Sequence, residues 1–419
     1  MSPNPLQGKQ IVLGVTGSIA AYKAADLASK LAQEGALVEV VLTEAATEFI
    51  SPLTFQSVTG QPAYTDADLW GAQAHVLHIG LARRADLLVI APASAQTLAR
   101  LALGLADNLI SLTALAATCP LLVAPAMDAG MFSHPATQAN LEVLAARGAA
   151  VVGPEEGHLA SGLVARGRMS EPQDILGQAR YLLSRGGPLA GRRVLVTAGG
   201  TQEPIDPVRF LTNRSSGKQG LALAQAALDA GAEVTLIATP GVARAPAGAG
   251  HQVVGTAAEM AEAVLQASEA ADVLVMAAAV ADFRPAQEAG QKIKRAADTP
   301  VLALEPTVDI LAAVGRQREA TGRPAVVVGF AAETQDLLDN ARRKLVAKKL
   351  DLLVANDVSA ADSGFGVDTN RVILLDAAGQ AESLPLLTKA EVAERIVARI
   401  VALLPAVGAN ARAQGEGQP

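Results

Sequence analysis

The chain has 419 residues, half of them apolar but only 3% aromatic, and a formal charge of −7. That length suggests two domains, whose cores must be filled by Ala, Val and Leu, and the acidic balance argues against a general nucleic-acid grip. The single cysteine, Cys119, rules out an intrachain disulfide or a thiolate metal cluster, and no apolar run is long enough to span a membrane. The first ten residues lack the apolar core of a signal peptide, so a soluble cytoplasmic protein is expected, with no nucleic-acid or membrane partner.

Strand and helix patterns alternate along the first half. Strands are predicted at Ile11–Val15, Leu37–Leu42, Asp86–Ala91, Leu121–Ala124 and Ala149–Val152. Helices are predicted at Ile19–Gln33, Ala95–Leu103, Leu109–Ala117, Pro135–Arg147 and Asp174–Leu183. Short β-rich runs between longer helical patterns call for a parallel, doubly wound sheet. The Gly- and Pro-containing run from Ser184 to Gly191 reads as a linker, and the alternation then restarts. Strands follow at Arg193–Thr197, Glu233–Ala238, Asp272–Ala278, Ala325–Phe330, Asp351–Ala355 and Val372–Leu375. The helices between them are Gly220–Ala230, Ala257–Ala267, Asp309–Arg318, Thr334–Ala347 and Lys389–Leu403. The expectation is an α/β chain with two consecutive doubly wound domains, residues 1–188 and 189–405, and a disordered polar tail at 406–419.

The first strand opens into Gly14-Val-Thr16-Gly17-Ser18-Ile19. This is not G-x-G-x-x-G, and the second strand ends at Thr43, where a dinucleotide site needs an acid for the ribose. Hydroxyls of Thr16, Ser18 and Thr43 near a helix N-terminus suit a terminal monophosphate, as in FMN, better than a pyrophosphate, as in NAD. The alternative is a glycine turn needed only for strand–helix packing. After the fourth strand, Pro92, Ala93 and Ser94 would let a planar ring lie against backbone, and Asp107 and Asn108 offer partners to its edge. Loops of this kind also simply cap helices.

In the second half, Thr197–Lys218 links a strand to a helix through a loop rich in Gly, Thr, Ser and Asn. Gly199 and Gly200 permit close backbone approach, the N–H groups of Ser215, Ser216 and Gly217 can face an anion, and Lys218 adds positive charge. Lys344 and Lys348 stand four apart on one helix face, unfavourable unless an anion lies between them. A solvated basic face is the alternative.

Val76-Leu-His78-Ile-Gly-Leu-Ala-Arg, Ala91-Pro-Ala-Ser94 and Pro125-Ala-Met127-Asp128-Ala-Gly-Met-Phe resemble the flavin-dependent cysteine decarboxylases. Asn213-Arg-Ser-Ser-Gly-Lys218, Ala277-Ala-Ala-Val-Ala-Asp282 and Lys292-Ile-Lys294 resemble phosphopantothenate–cysteine ligase. Apart from its tail, the chain is similar to the bacterial bifunctional coenzyme A biosynthesis proteins that fuse these activities. The resemblance implies a flavodoxin-like flavoprotein domain followed by a Rossmann-like ligase domain, with FMN, and Mg2+ accompanying CTP, as cofactors. Phosphopantothenate, cysteine and CTP are the implied substrates. It further implies large homo-oligomers with flavin at subunit contacts.

By the same resemblance His78 is the base of the decarboxylase, with His75 the decoy. Asn213 holds the acyl-cytidylate, and Lys292 serves the second half-reaction. Asp282 contacts the nucleotide, together with Met276, Ala277 and Ala278. Val308, Asp309, Ile310, Leu311 and Phe330 form the cytidine pocket, and Lys344 and Lys348 meet the triphosphate. No metal ligands are assigned. The chain departs from the family pattern at three positions: Asp128 replaces an Asn that grips the substrate carboxylate, Ser161 replaces a proton-donating Cys, and Val308 replaces a Pro. Asp128 must then be protonated in an apolar site, or the grip is made elsewhere. Proton delivery through Ser161 and water, or slower reduction, follows from the second departure. The alternative function is an active ligase fused to a flavin-binding domain with altered activity or with a regulatory or scaffolding role.

Overall fold

The computed structural model describes residues 4–70, 76–294, 301–333, 337–357 and 366–405. His75, Thr334 and the tail 406–419 lie outside them. The chain divides into two compact units between Ser184 and Arg185.

The first unit runs β1 (Gln10–Val15), α1 (Ala21–Gln33), β2 (Leu37–Leu42), α2 (Glu44–Thr47), α3 (Pro52–Thr59), β3 (Ala63–Thr65) and α4 (Leu77–Arg84). It continues with β4 (Leu87–Ala93), α5 (Ala95–Leu103), α6 (Leu109–Ala116), β5 (Leu121–Pro125), α7 (Ala129–Ser133) and α8 (Pro135–Ala146). It closes with β6 (Ala150–Val151), β7 (Glu155–His158), β8 (Val164–Arg168) and α9 (Pro172–Ser184). The six-stranded sheet has the order β3-β2-β1-β4-β5-β6, parallel throughout. Without the short edge strand β3, this is the flavodoxin-type order, and its direction reverses between β1 and β4. Strands β1, β2, β4 and β5 are almost continuously apolar because helices cover both faces. On one face α1, α3 and α9 bury Leu27, Leu31, Phe55 and Ile175. On the other, α4, α5, α6 and α8 bury Leu81, Leu98, Ile110 and Leu144.

The second unit runs β9 (Arg193–Ala198), β10 (Gln202–Asp206), β11 (Arg209–Thr212), α10 (Lys218–Asp229), β12 (Glu233–Ala238), β13 (Gly250–Val253), α11 (Ala257–Ser268) and β14 (Val273–Met276). Next come β15 (Phe283–Pro285), β16 (Leu304–Pro306), α12 (Ile310–Thr321), β17 (Val326–Glu333), α13 (Leu337–Ala347) and β18 (Leu352–Asp357). Last are β19 (Thr369–Asn370), β20 (Val372–Asp376), β21 (Ala381–Ser383), β22 (Leu387–Thr388) and α14 (Lys389–Leu403). The main sheet has the order β13-β12-β9-β14-β17-β18-β20-β21, in which only β20 runs against the others. Helices α11, α12 and α13 bury Met260, Val264, Val314, Ala341 and Leu345 on one face. Helix α10 packs against α14 and over β9 and β12.

Three stretches correct the sequence reading. The loop expected around Ser161 is the tip of an antiparallel hairpin, β7–β8. The loop expected across Thr197–Lys218 contains a second hairpin, β10–β11. The predicted strand at Val372–Leu375 does form, but against the direction of its neighbour β18.

Candidate active sites

In the first unit, the turns after β1 and β4 meet at the reversal point of the sheet, where doubly wound folds bind ligands. Thr16 is buried; its Oγ1 donates to the Pro92 carbonyl at 2.7 Å and accepts from the Ser94 N–H at 2.9 Å. Its hydroxyl therefore clamps the two turns together. Ser18 Oγ accepts from Ala20 N at 3.3 Å, and Thr43 Oγ1 caps α2 by accepting from Ala46 N at 3.2 Å. Gly17 abuts that helix so closely that an added Cβ would lie 2.6 Å from the Ala45 Cβ. At Gly14 a Cβ would meet Ile110 at 3.3 Å, so this glycine serves strand–helix packing. Ile19 is exposed at the rim, as is Tyr22.

Pro92 and Ala93 end the buried strand β4, and Ser94 caps α5 through Thr97 N at 3.3 Å. Asp107 pairs with Arg100 at 2.8 Å, and Asn108 forms a capping box with Ser111 at the start of α6. Both side chains are therefore turned to local partners, where the sequence suggested contacts to a ring edge. His78 lies in the first turn of α4, half-buried, and its Nδ1 is buried without a partner among the described residues. An orphaned buried ring nitrogen of this kind marks a place where a ligand or water completes the bonding.

Met127 and Asp128 follow β5. Met127 N donates to the Gly167 carbonyl at 3.0 Å, which pins the β7–β8 hairpin to this turn. A Cβ at Gly167 would fall 2.3 Å from the Met127 carbonyl oxygen, so only glycine permits the contact. Asp128 caps α7, accepting from Gly130 N at 2.9 Å, and its other oxygen accepts from Ser161 Oγ at 2.6 Å. The Ser161 hydroxyl, then the Gly130 N–H, hold its carboxyl below the usual range. Asp128 is half-buried, and both donors favour its carboxylate form in the free protein. The two departures from the family pattern thus touch each other.

The second unit carries a cleft of about 650 Å³ at the C-terminal ends of β9, β14, β17 and β18. Around it gather Asn213, Ser215, Ser216, Gly217 and Lys218 from the loop and first turn of α10. Met276, Ala277, Ala278 and Asp282 follow β14; Val308, Asp309, Ile310 and Leu311 open α12. Phe330 of β17 and the α13 lysines Lys344 and Lys348 complete the predicted lining. Asn213 Nδ2 donates to the Val280 carbonyl at 3.0 Å, joining the two loops. Gly217 sits at the start of α10 with φ of 71°, and its N–H points to Ser215 Oγ at 3.4 Å. Lys218 pairs with Asp368 at 2.7 Å, Lys348 pairs with Asp309, and Lys344 donates to the Phe330 carbonyl at 3.2 Å. Each of the three lysines thus already has a protein partner.

Gly199, Gly200 and Lys292 are not brought to this lining. Gly200 acts one layer behind: a Cβ there would lie 2.6 Å from the Asn213 carbonyl oxygen. Lys292 is exposed on an irregular segment, next to Ile293, whose N–H donates to Asp206 at the end of β10. Sequence reasoning missed Asn356, Asn370 and Lys389. Asn356 is the last residue but one of the apolar strand β18, and its Oδ1 is buried without a partner among the described residues. A polar residue closing such a strand was the available signal. Lys389 is 7% exposed; burial, then the Lys218 charge, pushes its ammonium below the usual lysine range. Its Nζ donates to the Val367 carbonyl at 2.6 Å, a contact no sequence spacing announces.

Among the described residues no three His, Cys, Asp or Glu side chains cluster as a metal centre, and no helix is long and apolar enough to cross a membrane.

Two doubly wound units, each with its site at the reversal of its sheet, define a nucleotide-binding α/β protein with two separate centres. Residues 1–182 match the family described as Flavoprotein, and residues 189–404 match the C-terminal domain of the DNA/pantothenate metabolism flavoproteins. The chain is 44% identical over 406 residues to the coenzyme A biosynthesis bifunctional protein CoaBC of Bacillus subtilis, covering 96% of this chain and 99% of that one. It is 46% identical over 409 residues to the protein of the same name from Mycobacterium tuberculosis, covering 94% and 97%. A crystal structure of the C-terminal domain of a CoaBC protein is 39% identical with a TM-score of 0.44, over 52% of this chain and 97% of that one. The chain belongs to the bifunctional coenzyme A biosynthesis family: it is an enzyme that joins a decarboxylase to a ligase.

Proposed function

We propose that the second unit joins phosphopantothenate to cysteine at the expense of CTP, and that the first unit converts the product to phosphopantetheine with FMN. The cleft of the second unit carries the ligase reading. It pairs an apolar flank at Ile310, Leu311 and Phe330 with lysines at 218, 344 and 348, as a base and a polyphosphate together require. The phosphopantothenate carboxylate attacks the α-phosphate, pyrophosphate leaves, and the cysteine amine displaces CMP from the acyl-cytidylate. Asn213 holds that mixed anhydride and Asp282 contacts the nucleotide. Lys292, on its separate segment, serves amide formation. Mg2+ arrives with the triphosphate, held by its phosphate oxygens.

In the first unit the residues suit FMN. The tight Gly17 turn, the Ser18 hydroxyl and the helix α1 start can receive one phosphate, and the orphaned His78 Nδ1 faces an incomplete environment. Bound flavin supplies the oxidation of the cysteine CH2–SH to a thioaldehyde, the electron sink that lets CO2 leave, and returns the hydride afterwards. His78 takes the proton released in that oxidation. Asp128 lies where the substrate carboxylate is read to dock, with Ser161 beside it.

Exposed apolar side chains at Ile19, Tyr22, Leu103 and Leu115 support a homo-oligomer built through the first unit. A cytoplasmic location suits both sets of substrates. The test is direct. Purified protein should be yellow and release FMN on denaturation, and it should release pyrophosphate from CTP only when phosphopantothenate is present. Colourless protein indifferent to CTP contradicts both halves.

A further inference from the structure

Resting on the decarboxylase reading, the contact between Asp128 and Ser161 carries a further step. Loss of CO2 from a carboxylate consumes one proton: the C–C bond breaks, and the carbon left behind must gain a hydrogen. The hydride removed from the substrate is returned to it, so the redox equivalents cancel and this one proton remains to be supplied. We propose that Asp128, hydrogen-bonded to Ser161, takes up a proton when the substrate carboxylate docks beside it, and delivers that proton to the carbon from which CO2 has departed.

The geometry supports this in three ways. Asp128 accepts only neutral donors, Ser161 Oγ at 2.6 Å and Gly130 N at 2.9 Å, and forms no ion pair among the described residues. No cation therefore compensates a second carboxylate, and two such groups side by side cannot both stay ionised. Second, Ser161 sits on a hairpin fixed to the Asp128 turn by the Met127–Gly167 backbone bond at 3.0 Å, so the hydroxyl stays in reach while the carboxyl changes state. A serine hydroxyl can donate to the carboxylate and accept from the carboxylic acid by rotating. Third, departure of CO2 removes the like charge that held the proton on Asp128. Release is therefore timed to the moment the neighbouring carbon needs it.

The elements packed around α7 present few competitors. Their titratable groups are His134 and Glu142 on the α8 side, Arg166 and Arg168 on β8, and Glu155, Glu156 and His158 on β7. Arg166 lies over the Phe132 ring at 5.3 Å and donates to the Pro154 carbonyl at 3.1 Å. Arg168 is paired with Glu171 at 2.7 Å, and His134 Nδ1 accepts from Ala136 N at 3.2 Å. The atoms balance: one proton enters from solvent on docking, CO2 leaves, one C–H bond forms, and Asp128 returns to the carboxylate that accepts from Ser161.

The test uses the full-length flavin-loaded chain and the alanine analogue of phosphopantothenoylcysteine, which keeps the carboxylate but has no thiol to oxidise. Perturbation of the flavin absorbance reports docking in the first unit. Titration calorimetry in buffers of different ionisation enthalpy then counts protons. The expected result is uptake of about one proton per site in the parent and none in Asp128→Asn, with the ligase half contributing equally to both. Docking with the same proton count in the two proteins overturns the inference. Absence of any flavin perturbation instead overturns the decarboxylase reading beneath it.

Discussion

Asp206 accepts a hydrogen bond from the backbone N–H of Ile293 at 3.1 Å, tying the β10–β11 hairpin to the segment that carries Lys292. The same buried carboxylate accepts from the N–H groups of Val208 and Arg209, each at 2.9 Å, and from the Arg209 guanidinium. Arg209 in turn donates to the Ile293 carbonyl at 2.9 Å. Lys292 is therefore positioned by a hub it does not touch. Asp206→Ala should leave CTP-dependent pyrophosphate release largely intact while slowing amide formation about 10- to 100-fold, the loss typical of a reactive group displaced by an ångström. Rapid quenching should then show acyl-cytidylate accumulating. Equal loss of both half-reactions would separate Lys292 from the second step.

The Arg209 guanidinium holds the Asp206 carboxyl well below the usual carboxylate range. A carboxyl depressed in the folded state stabilises it above the unfolded value of about 4, and that contribution is lost as the pH falls. Asp206→Asn should therefore lower the Tm of the second unit at neutral pH, and the gap to the parent should narrow in acid. A gap independent of pH contradicts the ion pair's role.

On the proposed ligase reading, Lys348 exchanges Asp309 for phosphate when nucleotide binds. Lys348→Met should raise the KM for CTP roughly 10- to 100-fold, as for loss of a charge-assisted contact, with little change in the KM for cysteine. Steady-state kinetics with each substrate varied in turn distinguishes this from a general loss of fold.

Asn356 buries a carbonyl oxygen in the cleft that has no partner among the described residues. Such an atom costs about 1–3 kcal/mol until something donates to it. Asn356→Leu should raise the Tm of the ligand-free protein and shrink the further rise produced by substrates. Thermal shifts with and without CTP and phosphopantothenate read both; an unchanged ligand-induced rise would show that Asn356 meets neither.

Gly17→Ala places a Cβ 2.6 Å from the Ala45 Cβ and 3.3 Å from the Ala45 carbonyl carbon. The turn after β1 must then shift. FMN content per chain should fall several-fold, while the ligase, built on the other unit, keeps its pyrophosphate release. Full flavin loading in this variant would remove the turn from the cofactor site.

The strands of both parallel sheets were legible because burial on two faces writes them as apolar runs, as in Leu87–Ile90 and Leu352–Ala355. The hairpins β7–β8 and β10–β11 were not, since Glu155–His158 and Gln202–Asp206 are polar and lie off the main sheets. Motifs marked the loops that form the ligase cleft, but not the long-range contacts inside it. Lys389 enters from 171 residues beyond Lys218 through the packing of α14 on α10, and no local spacing encodes that. Nor does sequence reveal that the Thr16 hydroxyl is committed to Pro92, or that Asp128 and Ser161 meet across 33 residues.

On the proposed function, one chain carries phosphopantothenate through ligation and decarboxylation in turn. Protein supplied with CTP, phosphopantothenate and cysteine labelled in its carboxyl carbon should release labelled CO2 in step with pyrophosphate and yield phosphopantetheine. Phosphopantothenoylcysteine accumulating with its label intact, on protein that holds its full complement of flavin, would contradict it.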